Sequence, residues 1–217
     1  TCTPDHPLPI KGKGRVLAAD LKLDDEIEFA SLEEDSSSEN VYGDYAWFMG
    51  VLLCDGCLSA KYESLISYAY EGESEIRSAI GSLFPADQIR DWSHDRGKRG
   101  KYRELAIKDK TMTLLAIKDF DGITKENRSV PEKIFSAPRH ERLAFLAGMI
   151  DADGYINRKS QNVQLGSTNS ALAYGQLRLA ESLGYKTRAY PNKYNTAKPD
   201  KLRIRIEFPI TEELAEH

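Results

Sequence analysis

Apolar and polar residues alternate differently in three successive parts of the chain. In residues 1 to 30, short apolar runs are separated by Pro and Gly turns, a pattern that predicts two or three short strands. Residues 31 to 44 are acidic, serine-rich and almost without apolar side chains, so we interpret them as a linker. From Tyr45 onward, apolar residues recur at helical and strand spacings, and the whole pattern occurs twice.

The two copies of this pattern are offset by 98 residues. Each opens with an apolar helix, residues 46–56 in the first copy and 144–154 in the second, followed by strand-like stretches at 57–70 and 155–168. Helices are then predicted over 75–83 and 171–183, with Ser74 and either Asn169 or Ser170 as N-caps. Each copy is therefore helix, two strands, helix, two strands. We predict an α+β fold of two αββαββ repeats, 45–140 and 141–217, which pair because neither buries a stable core alone.

Small residues recur at every fourth position of both opening helices, at 46, 50 and 54 and at 144, 148 and 152. Positions i, i+4 and i+8 form one stripe of a helix, so the small residues predict that the two helices pack backbone to backbone. Gly50 and Gly148 weaken an isolated helix, and close packing is the reason to keep them. Gly56 and Gly154 are expected to end the helices in a left-handed conformation.

Asp55 and Asp153 are predicted to occupy the last turns of these two paired helices. The negative helix end and the second carboxylate both oppose ionisation there, and bound divalent cations would remove that conflict. A single Asp-Gly pair is most often an ordinary turn, but two of them at the ends of two small-faced helices favour a metal site.

Charge is distributed unevenly along the chain. The net charge is −4 over 217 residues, yet residues 1 to 45 alone carry −7, which leaves +3 on the remainder. Basic residues cluster at 96–103 and again at 193–205. Such clusters bind phosphate in some proteins and are solvated loops in others, so they permit a nucleic-acid partner without requiring one. We find no stretch of apolar residues long enough to cross a membrane and no secretion signal, and we expect an intracellular protein.

The second opening helix carries a recognisable motif. The segment from Leu146 to Gly154 differs only at Met149 from the signature that names the LAGLIDADG homing endonucleases, and residues 48–56 resemble the looser first copy of their single-chain members. The resemblance extends over residues 45–208 and is closest to the intein-borne branch of the family. It implies a pseudo-twofold saddle of antiparallel sheets that lies in the DNA major groove, with the paired helices above the cleavage site.

The resemblance also implies roles for individual residues. Asp55 and Asp153 match the metal-binding aspartates, assisted by the backbone carbonyls of Cys54 and Ala152, whereas Asp151 has Leu53 as its counterpart and is expected to be structural. The family uses a basic residue near each metal, for which Lys101 and Lys201 are our first choice and Lys98 and Lys198 the second. The two sites would then hold two or three Mg²⁺ ions, or Mn²⁺ in their place, and each site would cut one strand of the DNA.

Double-stranded DNA is the implied partner, bound by a monomer at a long asymmetric target. The strand residues expected to contact it are Lys98, Arg99, Arg103, Arg158, Lys159, Gln164, Arg188, Lys193, Arg203 and Arg205. Two alternatives to DNA cleavage as the function of the chain are open. The saddle could bind DNA without cutting it, as do relatives that act as maturases or regulators, or the chain could be half of a splicing intein.

The N-terminal segment carries the signals for splicing. Thr3 and His6 resemble the Thr-x-x-His pair that activates the first peptide bond of an intein, and the following residues are similar to part of that domain, although Asp24 stands where it has glycine. Neither an upstream nucleophile nor a C-terminal His-Asn pair accompanies them. We therefore expect an intein remnant that does not splice by itself, with an ordinary surface hairpin as the alternative. Cys54 and Cys57 have the spacing of half a zinc site, but the absence of a second pair argues against one.

Overall fold

The computed structural model describes residues 3–28, 39–58, 64–69, 74–95, 101–122, 124, 126–192 and 203–215. These ranges contain six α-helices and ten β-strands. The helices are α1 (Ala46–Cys54), α2 (Ser74–Leu83), α3 (Lys110–Asp119), α4 (Arg139–Asp153), α5 (Ser170–Ser182) and α6 (Glu212–Ala215). The strands are β1 (Pro7–Ile10), β2 (Gly14–Leu17), β3 (Gly56–Leu58), β4 (Ser64–Ala69), β5 (Ile89–Asp95), β6 (Lys101–Ile107), β7 (Tyr155–Asn157), β8 (Asn162–Ser167), β9 (Arg188–Asn192) and β10 (Arg203–Pro209).

The two repeats have the same topology. In the first repeat α1 precedes a sheet with the strand order β3-β4-β6-β5, and in the second α4 precedes a sheet with the order β7-β8-β10-β9. All neighbouring strands in both sheets are antiparallel. α2 and α5 occupy equivalent places between the second and third strands of each repeat. The predicted α+β class and the αββαββ order are confirmed.

The core is organised around the packing of α1 against α4. A Cβ atom on Gly50 would lie 2.1 Å from the carbonyl oxygen of Phe145, and one on Gly148 would lie 1.9 Å from that of Trp47. No side chain larger than hydrogen fits at either position, so the two backbones are in direct contact. The predicted stripe of small residues is confirmed, and the large side chains on either side of it fill the apolar core beneath both sheets.

The glycines that follow the two helices do not adopt the expected left-handed conformation. Gly154 has φ −83° and ψ 161°, which is extended backbone, and Gly56 is already the first residue of β3. Glycine is needed here for a different reason. A Cβ would lie 2.5 Å from the carbonyl oxygen of Leu52 at Gly56 and 2.4 Å from that of Ile150 at Gly154. The chain turns back so tightly against its own helix that only glycine fits.

Two further helices are additional to the predicted αββαββ order of elements. α3 follows the first sheet and α6 follows the second. The helix caps are partly as predicted, since Asn169 Oδ1 accepts from Leu172 N–H at 3.2 Å, whereas Ser74 is the first residue of α2 rather than the residue before it. No helix in the described part of the chain is long and apolar enough to cross a membrane.

The end of the predicted linker belongs to the folded body. Tyr42 is buried and its ring stacks on Phe145 at 5.9 Å. The backbone N–H groups of Val41 and Gly43 donate to the buried carboxylate of Glu141, at 2.9 and 3.0 Å, and that of Tyr42 donates to it as well. This contact could not be predicted from local patterns because the acceptor lies about a hundred residues away in the chain.

The N-terminal segment forms the predicted small β structure. β1 and β2 pair as an antiparallel hairpin, and Ile10 forms a further bridge with Ile27. Within this segment Ile10 is buried, whereas Leu17 and Leu23 are exposed. Lys186 donates to Glu26 at 2.9 Å, an exposed ion pair that joins the hairpin to the second repeat.

Candidate metal and DNA-binding site

Asp55 and Asp153 lie at equivalent positions at the ends of α1 and α4. Asp55 is the C-cap of α1 and its N–H donates to the carbonyl of Val51 at 2.9 Å. Asp153 is the last residue of α4, and the next N–H, of Gly154, donates to Ile150 at 2.7 Å. Asp55 is partly buried and Asp153 is exposed. Both carboxylates therefore stand at negative helix ends, as the sequence predicts.

The donor groups at these helix ends suit a hard divalent cation. Carboxylate and carbonyl oxygens are the ligands that Mg²⁺ prefers, and Mg²⁺ keeps several water ligands or shares substrate phosphates. Among the described residues no group of three or more His, Cys, Asp or Glu side chains could hold a metal ion. The described residues therefore do not form a closed metal site, although the oxygen atoms at the two helix ends are of the type that Mg²⁺ binds.

Asp151 makes a structural contact between the two helices. Trp47 Nε1 of α1 donates to Asp151 Oδ2 at 2.8 Å. Burial raises the pKa of the Asp151 carboxyl, and the Trp47 hydrogen bond opposes that rise. Its counterpart in the first repeat, Leu53, is fully buried. The interaction agrees with the structural role expected for Asp151.

Strand alternation creates a polar outer face on the second sheet. Ile206 and Phe208 of β10 point into the core, so the residues that alternate with them along the strand share the opposite face. The predicted contact residues Gln164, Arg188, Arg203 and Arg205 all belong to this face by register. Arg158 and Lys159 lie in the exposed turn between β7 and β8. The structure therefore brings four of the ten predicted DNA-contacting residues to one face of the second sheet and places two more in a turn at the end of its strands.

Two residues of this face escaped the sequence analysis. Glu207 lies between its cross-strand neighbours Gln164 and Arg188. Gln164 Nε2 donates to Glu207 Oε1 at 2.6 Å, and Tyr190 OH donates to Oε2 at 3.1 Å. The Arg205 guanidinium lies 5.9 Å from the centre of the Tyr190 ring. The alternation from Arg203 to Phe208 was the signal that could have identified Glu207, because it assigns both arginines and the glutamate to one face.

The first sheet carries a comparable exposed set. Arg90 and Trp92 of β5 and Cys57 of β3 are exposed, and sequence analysis had singled out none of them as DNA contacts. Cys57 is a free thiol, and Cys54 at the end of α1 is a buried one. Gln176 Nε2 of α5 lies 3.9 Å from the Cys54 sulfur, which places the second repeat against the end of α1.

The catalytic pairing of Lys101 with Lys201 stays a prediction, because Lys201 lies outside the described residues. Lys101 and Lys201 are 100 residues apart, whereas the buried residues of their strands, Leu105 in β6 and Ile206 in β10, are 101 apart. The buried positions of β6 and β10 are thus offset by one residue more than the repeated Lys-x-Arg opening. Lys101 and Arg103 belong to β6, but their side chains are outside the described residues. Five further candidates lie wholly outside them: Lys98, Arg99, Lys193, Lys198 and Lys201.

Thr3 and His6 form a turn at the start of the hairpin. The His6 N–H donates to the Thr3 carbonyl at 3.0 Å, and the His6 carbonyl accepts from Ala18 N–H at 2.9 Å. The Thr3 side chain hydrogen-bonds Asp5 and lowers the pKa of that carboxyl. Both Thr3 and His6 are exposed.

Comparison with protein families places a known domain in the second repeat. Residues 140–207 match the LAGLIDADG-like domain, and this range contains α4 with Asp153, α5 and most of the second sheet. The motif resemblance found in the sequence is confirmed at the level of this domain.

Two kinds of relative match part of the chain. Subunit alpha of the ribonucleoside-diphosphate reductase NrdEB of Bacillus subtilis is 25% identical over an alignment of 178 residues, and the match covers 72% of this chain and 16% of the reductase subunit. A DNA polymerase of Thermococcus hydrothermalis is 37% identical over 90 residues, 41% of this chain and 5% of the polymerase. The chain thus spans a small part of each relative.

Solved structures share the fold. Mesophilic variants of the homing endonuclease I-DmoI match with a TM-score of 0.52 at 16% identity, over 82% of this chain and 94% of theirs. Another variant of I-DmoI, in complex with its target DNA and in the presence of Mn, also has a TM-score of 0.52, at 16% identity over 81% of this chain and 93% of that one. Full-length DUF199/WhiA from Thermatoga maritima has a TM-score of 0.50 at 10% identity, over 79% of this chain and 52% of that one.

Proposed function

We propose that this chain is a divalent-metal-dependent, site-specific DNA endonuclease that cuts both strands of a long asymmetric target. The observation that carries the proposal is the packing of α1 on α4 at Gly50 and Gly148, because it pairs two helices that each end at an aspartate. Each helix leads directly into a four-stranded antiparallel sheet. The fold shared with I-DmoI supports the same reading.

Some residues of the chain would bind the metal ions, and others would orient the attacking water. Asp55 and Asp153, with the preceding carbonyls of Cys54 and Ala152, would hold two or three Mg²⁺ or Mn²⁺ ions. The bound metal supplies a nucleophile from water at neutral pH and neutralises phosphate charge. Lys101 and Lys201 are proposed to orient the attacking water or to stabilise the developing charge.

The basic sheet face would bind the duplex. Arg188, Arg203 and Arg205 can contact phosphates or base edges, and Gln164 can read a base edge from the same face. The two repeats differ in sequence, so the two halves of the target are expected to differ as well. One chain contains both repeats, and the proposed active form is a monomer in whichever compartment contains the DNA.

Cleavage of a randomised duplex library tests the proposal. The protein is incubated with the library in Mg²⁺, with a parallel reaction in EDTA, and the ends produced are sequenced. Recurrent double-strand ends at one long motif, in Mg²⁺ only, are expected. Enrichment of bound duplexes without any new ends would overturn cleavage and leave a DNA-binding module, the principal alternative.

Variants of the two aspartates test the site itself. Asp55→Asn and Asp153→Asn are each expected to abolish double-strand cleavage, because the amide is a much weaker ligand for Mg²⁺, and to leave DNA binding intact. Asp151→Asn is the matched control within the same motif and is expected to cut at the wild-type rate. Full cleavage by either of the first two variants would exclude that aspartate from the site.

The N-terminal hairpin is proposed to be the remnant of an intein splicing domain, with the Thr3 and His6 turn as its vestigial site. The match of this chain to small parts of a reductase subunit and of a DNA polymerase supports an inserted element, because those proteins differ in function. Expression of the chain between two reporter domains is expected to give no joined reporters. Joining would mean that the segment still splices.

A further inference from the structure

Arg128 is a buried charged residue close to the proposed metal site and has no role in the function proposed above. Its side chain is 1% exposed, and Nη1 donates to the carbonyl oxygens of Leu52 and Gly56 at 2.9 Å and of Leu53 at 3.3 Å. Leu52 and Leu53 belong to the last turn of α1, and Gly56 is the first residue of β3. Asp55 lies between them in the chain, so one guanidinium holds the backbone on both sides of this carboxylate.

These bonds make a strong clamp on the end of α1. A guanidinium at a helix C-terminus compensates the negative helix end, and hydrogen bonds from a charged donor are stronger than those between neutral groups. The Phe120 ring lies 6.0 Å from the guanidinium carbon and closes the site on one side. The side chain is therefore fixed both by its hydrogen bonds and by the packing around it.

The clamp is anchored in the second repeat. Asn169 Nδ2 donates to the Arg128 carbonyl at 2.6 Å, while its Oδ1 caps α5. Two residues further on, Val130 lies so close to α5 that a Cβ on Gly175 would be 2.7 Å from the Val130 side chain. The position of the α1 end relative to α5 is thus set through the segment from Arg128 to Val130.

We propose that Arg128 is a positioning residue for Asp55, which orients this carboxylate and its neighbouring carbonyls without touching DNA or cation. The proposal rests on the endonuclease function proposed above. The hydrogen bonds of Arg128 given above all reach the end of α1, and none of them reaches the end of α4. Loss of the guanidinium therefore affects one half of the site, and with it the cutting of one strand.

Arg128→Met tests this role, with Arg142→Met as the matched control. Arg142 is also buried, and its Nη1 donates to the carbonyl of Ser182 at 2.6 Å at the end of α5, away from both aspartates in the chain. Both variants lose a buried guanidinium that caps a helix, so both are expected to lose stability. Any difference between the two variants in the ratio of the two strands' cleavage rates therefore reports on Asp55 and not on folding.

Each strand's cleavage rate is measured on target duplexes that already carry a nick in the other strand. Arg128→Met is expected to change the ratio of the two rates by about tenfold to a hundredfold, the usual effect of losing an outer-shell partner. Arg142→Met should leave the ratio unchanged. Equal slowing of both strands by Arg128→Met would overturn the proposal, because it would show a purely structural role.

A second readout does not depend on cleavage. Free Mn²⁺ is titrated by electron paramagnetic resonance in the presence of protein and duplex, and Arg128→Met is expected to weaken one class of bound ion by about tenfold. Unchanged Mn²⁺ binding would also overturn the role. If the wild-type protein binds Mn²⁺ but never cuts, the proposed function fails while Arg128 is still judged by this titration. Arg128→Lys, which keeps the charge, replaces Arg128→Met if the latter does not fold.

Discussion

Gly148 of α4 lies directly against Trp47 of α1, where a Cβ would stand 1.9 Å from the Trp47 carbonyl oxygen. Gly148→Ala is expected to lower the free energy of unfolding by about 3 kcal/mol or more, since the contact is with backbone that cannot rotate away. Gly81→Ala in α2 is the matched control, because no atom lies within 4 Å of its Cβ position. That variant should be more stable than wild type by about 1 kcal/mol through helix propensity alone. Urea unfolding measures both, and equal effects would argue against close helix packing.

Glu141 joins the start of α1 to α4 across the core. Its carboxylate is 1% exposed and accepts N–H groups from Val41, Tyr42 and Gly43. Glu141→Gln replaces one acceptor oxygen by a donor that faces other donors, and should cost about 3 kcal/mol of stability. Glu132→Gln provides the control, because Glu132 forms an exposed ion pair with Arg178 and should change stability little. A small loss of stability in Glu141→Gln would mean that water accepts the N–H groups that the carboxylate accepts in the wild type.

The Asp151 carboxyl makes stability depend on pH. Burial raises its pKa above 3.8, so the folded protein binds this proton more tightly than the unfolded chain does. Its contribution is therefore most favourable below pH 3.8 and is lost as the pH rises through the raised folded value. Asp151→Asn still accepts from Trp47 and removes this dependence. Unfolding curves in EDTA between pH 4 and 8 should show that the variant loses less stability than wild type as the pH rises, and parallel profiles would contradict the raised pKa of Asp151.

Glu207 places a carboxylate within a basic surface. Glu207→Gln is expected to tighten DNA binding, because it removes repulsion from phosphates, and to alter the preferred base at one position of the target. A carboxylate accepts from the cytosine amino group in the major groove, and one such contact discriminates by about 1 to 3 kcal/mol. Selection of bound duplexes from a randomised library measures both effects.

Arg205→Ala is the companion variant for the same face. It should weaken binding to all sequences and reduce the salt dependence, as loss of a phosphate contact does. An unchanged base preference in Glu207→Gln would limit Glu207 to holding Gln164 and Tyr190 in place.

The tandem organisation could be predicted from the sequence because it depends on local patterns. The stripe through Gly50 and Gly148, the alternation of β10 and the two Asp-Gly ends are each contained within a few turns of chain. The spacing of these patterns was sufficient to predict two αββαββ repeats and the packing of their first helices. It also predicted Asp55 and Asp153 as equivalent positions at helix ends.

Local patterns were insufficient where the outcome depends on strand register or on contacts between distant segments. The Lys-x-Arg opening recurs after 100 residues, whereas the buried positions Leu105 of β6 and Ile206 of β10 are 101 residues apart, and the repeat spacing did not reveal this additional residue. Similarly, the conformation of Gly56 and Gly154 follows from the tight return of each strand against its own helix, which the Asp-Gly pair does not reveal.

The sequence by itself determined the helices and strands of the αββαββ pattern, that this pattern occurs twice, and which aspartates end the paired helices. The tertiary structure alone decided which distant groups hold these elements together: Arg128 on the carbonyls around Asp55, Glu141 on the backbone of Val41 to Gly43, and Trp47 on Asp151. The physical reason is that periodicity encodes which side of an element is buried. The partner of a charged side chain is fixed only when segments far apart in the chain are packed together.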